Sequence, residues 1–469
     1  MKYELLRHRD GADTIAVLFA GWGMDSRPFL SVDLCCDFAV VYDYNAWHLD
    51  DGFLKGYQNV YLFAWSFGVF AAGVWLNGTD IKVCRKVAIN GTPFPVDDSK
   101  GIPEAIFKGT YDNLNDRTLV KFQRRMCISS VQYAQYKQVL PLRTLDSLRS
   151  ELLSVYDKYK ASGLVPNHWD KVYVSDRDYI FPKDNQLNAW ADNGNVVVLE
   201  SAHMPESFQS LLSANIIDKS LLSVRFAKNQ STYHTQAFVQ QSIAKMLFEQ
   251  LKYFADVRKI HSLLELGCGT GFLSRCYAGD CTALERIVLN DIWRNDDLLR
   301  LFAGTVDARF ECADAEALEF LTEGEQFDCV LSSSVIQWFV NPTSFFSRLA
   351  SHLKGGATVA ISTFGSQNLQ EVAMASKQGL CYVGIARLRE MLSADYEVLS
   401  ITEDTIQLSF PSPLDVLRHL KSTGVNALSS ERTIWTRADI AKFVSAYPSE
   451  MDGTCHLTYH PIYIIARKK

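Results

Sequence analysis

The stretch Leu263-Leu-Glu-Leu-Gly-Cys-Gly-Thr-Gly-Phe-Leu273 constrains the fold of this chain more than any other. It runs apolar, then acidic, then glycine at every second position, then apolar again. A buried strand that breaks into a tight turn and opens a helix is written this way. Gly267, Gly269 and Gly271 permit unusual φ values and a close approach of the backbone to a ligand. A dinucleotide fingerprint spaces its glycines G-x-G-x-x-G. Here the spacing is G-x-G-x-G, and Glu265 precedes it. A carboxylate beside the turn repels a pyrophosphate and suits a cationic ligand. S-adenosyl-L-methionine, a sulfonium that also carries an ammonium group, meets that requirement. The next acid at a strand end, Asp291 in Val288-Leu-Asn-Asp291, is placed to take a ribose diol.

Two more strand ends follow in order. Ala308-Arg-Phe-Glu-Cys-Ala-Asp314-Ala315 offers a third acid, whose side chain would take an adenine amino group while the Ala315 N–H meets the ring. Phe327-Asp-Cys-Val-Leu-Ser332 is a fourth strand and runs into Ser333-Ser-Val-Ile-Gln337-Trp338. Open α/β sheets bind ligands at the carboxyl ends of such strands. The expected cofactor-binding set is therefore Glu265, Gly267, Gly269, Gly271, Asp291, Asp314, Ala315 and Ser332. This predicts a Rossmann-like class I methyltransferase in the second half.

The first half carries a different signature. Ile15-Ala-Val-Leu-Phe-Ala20 is a strand-type run that leads into Gly21-Trp-Gly23. Val60-Tyr-Leu-Phe-Ala64 is another, ending in Trp65-Ser66-Phe67-Gly68, with a buried helix expected over 69–76. Strand, serine at a sharp turn, then helix is the nucleophile-elbow context, although Ala64 stands where G-x-S-x-G has its first glycine. A nucleophilic serine needs a base, an orienting acid and oxyanion donors. The strand at 171–174 ends near Asp178, and the strand at 195–199 ends near His203. The order Ser66, Asp178, His203 is that of α/β-hydrolases, with Asp176 as the competing acid. The oxyanion donors would be the backbone N–H groups of Trp22 and Phe67. Between residues 100 and 165 the pattern turns helical, as for a cap over the site. There Arg117, Lys121, Arg124 and Arg125 recur on one helical face, either as a solvated surface or as a docking stripe for an acidic partner.

At 469 residues the chain exceeds one ordinary core, so the expected domains are 1–213 and 218–469, both α/β. A net charge of −6 excludes a general nucleic-acid binder. The eleven cysteines form no C-x-x-C pair and no metal set, which is the usage of a reducing compartment. No apolar run approaches the roughly 18 residues of a membrane span. A cytoplasmic protein is expected.

From about 218 onward the chain resembles the malonyl-carrier-protein O-methyltransferase of biotin synthesis. The resemblance rests on the lead-in Tyr233 to Gln240, on Glu265–Gly271 and Ser332–Trp338, and on the late segments 417–428 and 457–463. Residues 1–213 resemble the pimeloyl-carrier-protein methyl ester esterase through Gly21–Gly23, Trp65–Gly68, Asp178–Pro182 and Ala202–Pro205. The paired resemblance implies one chain that methylates malonyl-acyl-carrier protein and hydrolyses pimeloyl-acyl-carrier-protein methyl ester. It implies Tyr233, Gln240, Gln337 and Trp338 around the acceptor group. It gives the cap stripe, and Arg418 and Lys421 in the second half, the acidic acyl carrier protein as a partner. Because the esterase would otherwise undo the methylation, an apolar tunnel under the cap is expected to measure chain length. The alternatives are a small-acid O-methyltransferase fused to a generic acyl esterase, or to a non-catalytic carrier-binding module.

Overall fold

A computed structural model describes residues 1–162, 168–193, 195–304, 306–376, 379–380, 382–423 and 436–469, and the backbone alone of 229–235. The chain divides into two compact units, Met1–Ile216 and Ile217–Lys469.

The first unit is built on a seven-stranded sheet: β1 (Lys2–Arg7), β2 (Thr14–Phe19), β3 (Asp37–Tyr42), β4 (Asn59–Trp65), β5 (Val83–Ile89), β6 (Lys171–Ser175) and β7 (Val196–Leu199). Its order is β1-β3-β2-β4-β5-β6-β7, parallel except for β1 on β3. Parallel strands covered on both faces read as unbroken apolar runs, and Ile15–Ala20 and Val60–Trp65 are accordingly buried throughout. The strand order reverses between β2 and β4, so the chain leaves both at the crevice where doubly wound sheets bind ligands. After β4 comes α1 (Gly68–Leu76). A Cβ at Gly68 would stand 2.1 Å from the Phe19 carbonyl oxygen, so only glycine lets α1 start this close to β2.

The cap occupies the crossover between β5 and β6. It consists of α2 (Glu104–Asp112), α3 (Asp116–Met126), α4 (Ser130–Tyr136) and α5 (Leu145–Ser162). Asn115 starts α3 with a capping box to Thr118. α6 (Lys183–Ala189) and α7 (Phe208–Ser213) complete the unit.

The second unit opens with α8 (Lys219–Gln236) and α9 (Phe238–Phe254). Its sheet contains β8 (Ser262–Leu266), β9 (Arg286–Asp291), β10 (Asp307–Cys312), β11 (Phe327–Ser333), β12 (Leu353–Phe364) and β13 (Tyr396–Glu403). β14 (Ile406–Phe410) and β15 (Cys455–Tyr459) pair separately, and β16 (Pro461–Lys468) returns to the main sheet. The order is β10-β9-β8-β11-β12-β16-β13, with β16 antiparallel to both neighbours. The reversal falls between β8 and β11. α10 (Phe272–Tyr277) begins where the glycine turn ends. Among the described residues no helix is long and apolar enough to cross a membrane, and no cluster of His, Cys, Asp or Glu could hold a metal ion.

Candidate active sites

In the first unit, Ser66 sits between β4 and α1 at φ 60°, a left-handed conformation that only a tightly built turn sustains in a non-glycine residue. Its Oγ is 2.9 Å from His203 Nε2, and His203 Nδ1 is 2.9 Å from Asp178 Oδ2. Asp178 Oδ1 accepts the N–H groups of Ile180 at 2.8 Å and Phe181 at 2.9 Å. Asp176 instead accepts the Ser201 N–H at 3.1 Å, so Asp178 is the acid that meets the histidine. His203 is 1% exposed and lies flat against the Phe181 ring, 6.0 Å between centroids at 10°. Gln186, absent from the sequence reading, donates from Nε2 to Asp178 Oδ2 at 3.0 Å. No motif marks it; only its helical placement after Asp178–Pro182 brings it there.

Trp22 and Phe67 border the same slot as Ser66, together with Phe107, Phe122, Leu152 and Ile180. Among the described residues neither the Trp22 nor the Phe67 N–H meets an acceptor. A serine, a base held by a carboxylate and two free backbone donors are the parts that acyl transfer requires. The slot adjoins a wider groove between α2 and α3, and Ile106, Thr110, Phe122 and Arg125 line both. Lys121 and Arg124 lie along that groove. Arg117, Lys121, Arg124 and Arg125 are all exposed. Arg124 stands over the Tyr133 ring at 5.3 Å, and among the described residues none of the four pairs with a carboxylate.

In the second unit a cleft, open at its mouth, lies over the carboxyl ends of β8, β9, β10 and β11. Gly267, Gly269, Asp291, Asp314, Ala315 and Trp338 all border it. A Cβ at Gly269 would meet nothing within 4 Å, so the turn leaves open space for a ligand against its backbone. Asp291 accepts the Gly269 N–H at 2.7 Å, and burial raises its pKa to about 6. Thr270 Oγ1 and Asn290 Oδ1, on residues of the same cleft, are buried without a partner among the described residues. Phe226 meets Trp338 edge-on at 5.8 Å.

Five residues expected in this site do not border the cleft. Glu265 is 1% exposed, and its carboxylate turns toward α10, where it accepts the hydroxyls of Ser274, at 2.6 Å, and Tyr277. Burial raises its pKa to about 7. Gly271 is close-packed, since a Cβ there would stand 2.3 Å from Leu298 Cδ2. Ser332 gives its hydroxyl to the Leu266 carbonyl at 3.1 Å, and Ser333 and Ser334 border the cleft in its place. Gln240 is buried and does not border the cleft, and Gln337 donates to the Ser334 carbonyl at 2.6 Å. The side chain of Tyr233 lies outside the described residues, as do residues 424–428 of the late motif. Arg418 is taken by Asp415 at 2.5 Å, while Lys421 is exposed. Lys219 was not anticipated. It borders the cleft from α8, with Leu222 and Phe226 on the same helical face, and pairs with Asp314 at 2.6 Å and with Glu316.

Residues 1–212 match the family described as "Pimeloyl-ACP methyl esterase BioG", and residues 264–361 match a "Methyltransferase domain". The chain is 37% identical over 463 residues to a "Malonyl-[acyl-carrier protein] O-methyltransferase" of Bacteroides fragilis, covering 97% of this chain and 92% of the relative. A protein of the same name from Haemophilus influenzae is 34% identical over 263 residues, 54% of this chain and 96% of the relative. Among solved structures, BioG from Haemophilus influenzae is 35% identical across 43% of this chain and 94% of its own length, with a TM-score of 0.40.

Proposed function

The chain belongs to the malonyl-[acyl-carrier protein] O-methyltransferase family and carries an N-terminal pimeloyl-ACP methyl esterase domain, and from that premise we propose a bifunctional, cytoplasmic enzyme of biotin synthesis. Residues 218–469 methylate the free carboxylate of malonyl-acyl-carrier protein. Residues 1–213 later hydrolyse the methyl ester of pimeloyl-acyl-carrier protein. The observation that carries the reading is the 37% identity along 463 residues, which spans both sites.

S-adenosyl-L-methionine, when bound, supplies a methyl group on sulfonium carbon. The cleft suits that ligand: Asp291 and Asp314 give it acidic strand ends, and Lys219, its one cation among the described residues, is already neutralised by Asp314 and Glu316. A phosphate would find no free positive charge there among the described residues. Asp291 would take the ribose hydroxyls, Asp314 and Ala315 the adenine edge, and the Gly269 turn the amino-acid end. The malonyl carboxylate is already an anion at pH 7, so the protein needs no general base. It must hold the carboxylate in line and keep water out, for which Trp338 and Phe226 supply an apolar wall.

In the esterase, Ser66 Oγ attacks the methyl ester carbonyl while His203 Nε2 takes its proton and Asp178 holds Nδ1–H. The Trp22 and Phe67 N–H groups receive the developing oxyanion. His203 gives the proton to the departing methoxide, which leaves as methanol, and water activated by the same base cleaves the acyl-Ser66 ester to release the acid and regenerate the hydroxyl. The exposed cations of the cap dock the acidic carrier, with Arg418 and Lys421 assigned the same task in the second domain. The slot is apolar and selects the longer acyl chain: four extra methylenes at about 0.8 kcal/mol each give roughly 3 kcal/mol, on the order of a hundredfold.

The test is to incubate the full chain with S-adenosyl-L-methionine and malonyl-loaded carrier, beside Ser66→Ala, and read the intact mass of the carrier. The expected product is the methyl ester with both proteins, and pimeloyl methyl ester carrier is then hydrolysed only by the wild type. If neither protein methylates the carrier, the methyltransferase reading fails. Activity on free acids without a carrier would favour a generic enzyme.

A further inference from the structure

The first unit holds a buried carboxylate that the Ser66, His203 and Asp178 chemistry leaves unused. Glu151 lies on α5 of the cap and is 0% exposed. Its Oε2 accepts the Gly23 N–H at 3.1 Å, and its Oε1 accepts the Tyr44 N–H at 2.8 Å. These two loops leave the carboxyl ends of β2 and β3. Arg143 stands on the same group: its Nη2 is 3.4 Å from Glu151 Oε2 and 3.2 Å from Asp43 Oδ1. Its Nη1 donates to the Met24 carbonyl at 3.0 Å. The Trp22 indole N–H donates to the Leu148 carbonyl of α5 at 2.9 Å. Trp22, Gly23 and Met24 are thus each held by a group from residues 143–151 of the cap.

A carboxylate buried this deeply is costly, and burial pushes its pKa up to about 7 against the pull of Arg143 and the two N–H groups. An apolar side chain would avoid that cost only by leaving Arg143 and the two N–H groups without their carboxylate. What the carboxylate adds is direction, because it accepts two backbone donors at set angles. Direction matters at this loop. Trp22 is flanked by Gly21 and by Gly23 at φ 75°, so the peptide planes on either side of it turn easily when untied. Among the described residues its N–H meets no acceptor, and Trp22 borders the slot that holds Ser66.

We propose that Glu151 is a positioning residue for the oxyanion hole: from the cap it locks the Gly21-Trp22-Gly23 turn so that the Trp22 N–H meets the ester oxygen. The next residue, Leu152, borders the slot itself, so one helix both walls the acyl group and aims the donor. This inference rests on the esterase reading above.

The experiment compares the full-length wild type with Ser66→Ala, Glu151→Gln and Glu151→Met on pimeloyl-carrier methyl ester, measuring kcat and KM separately. Methyl transfer by the same chains and thermal unfolding serve as folding controls. A boronic acid that forms a tetrahedral adduct with serine reports the hole directly. Glu151→Met is expected to lower kcat about 10²- to 10³-fold with little change in KM, and to weaken the boronate by a similar factor. Glu151→Gln, which keeps one acceptor, falls between it and the wild type. A Glu151→Gln chain that melts below the wild type but keeps its kcat and boronate affinity would show a structural tie alone and overturn the proposal. So would unchanged kcat in a folded Glu151→Met. If the wild type itself shows no Ser66-dependent hydrolysis, the esterase reading fails and takes this inference with it. Hydrolysis that is insensitive to Glu151 sinks the inference and leaves the reading standing.

Discussion

Lowering the pH from 7 to 5 weakens the hold on S-adenosyl-L-methionine about tenfold, provided Asp291 grips the ribose as a carboxylate. Asp291 is buried at the end of β9, and that burial lifts its pKa from 3.8 to about 6, against the N–H groups of Gly269, Trp293 and Ile292. A raised acid pKa means that the proton is taken up as the pH falls through 6. About nine-tenths of the group is ionised at pH 7 and about one-tenth at pH 5. Apparent affinity scales with the competent fraction, so the dissociation constant rises about tenfold, or about 1.4 kcal/mol. The ligand's ammonium group, with a pKa of about 7.7, stays charged across this window. Burial also raises Glu265, tied to Ser274 and Tyr277 behind the cleft wall, to about 7. Calorimetric titration at pH 5, 6 and 7 with the wild type, Glu265→Gln and Asp291→Asn separates the two. The fall persists in Glu265→Gln. Asp291→Asn loses charge-assisted hydrogen bonds worth about 1.5–3 kcal/mol, binds roughly 10- to 150-fold more weakly, and has a flat profile. A flat wild-type profile, or a fall that survives in Asp291→Asn, refutes the role given to Asp291.

Other parts of the reading are open to simpler measurements. Asp178→Asn leaves the Ser66–His203 contact in place but misorients the imidazole, and kcat on pimeloyl methyl ester carrier drops by about 10⁴; a loss below tenfold would return the role to another acid. Reversing Arg124 and Arg125 to Glu removes two unpaired cations from the groove beside the slot. At low salt the esterase KM for carrier-bound substrate should then rise by about 1–2 kcal/mol, roughly five- to thirtyfold, and lose most of its salt dependence. KM for a small free ester rises less, and an equal rise for both substrates would argue against docking. Malonyl methyl ester carrier is hydrolysed about a hundredfold less efficiently than the pimeloyl ester, and equal rates would remove the slot as a length gauge.

What sequence alone could show in this chain, and what it could not, divides by the kind of force involved. The strand ends were legible because parallel strands buried on both faces must be apolar and must hand over to turns with special backbone. Ser66, Asp178 and His203 therefore announce themselves by order, and Gly269, Asp291 and Asp314 by position after β8, β9 and β10. Which way a side chain turns at such a point was not legible. Glu265 sits where a ligand-facing acid was expected, yet two hydroxyls on α10, Ser274 and Tyr277, draw its carboxylate into the protein. Nothing in the glycine turn marks those hydroxyls; they come into reach only once α10 has formed. Ser332 is a similar case, because the period of two along β11 points it inward and presents Ser333 to the cleft. Glu151 lies between these extremes. On α5 the buried positions are Leu148, Glu151, Leu152 and Val155, an i, i+3, i+4, i+7 stripe with one acid in it. A charge on the apolar stripe of a cap helix must be answered from below. The backbone that answers it is the Tyr44 N–H after β3 and the Gly23 N–H of the glycine-flanked turn after β2, where the candidate oxyanion donor lies.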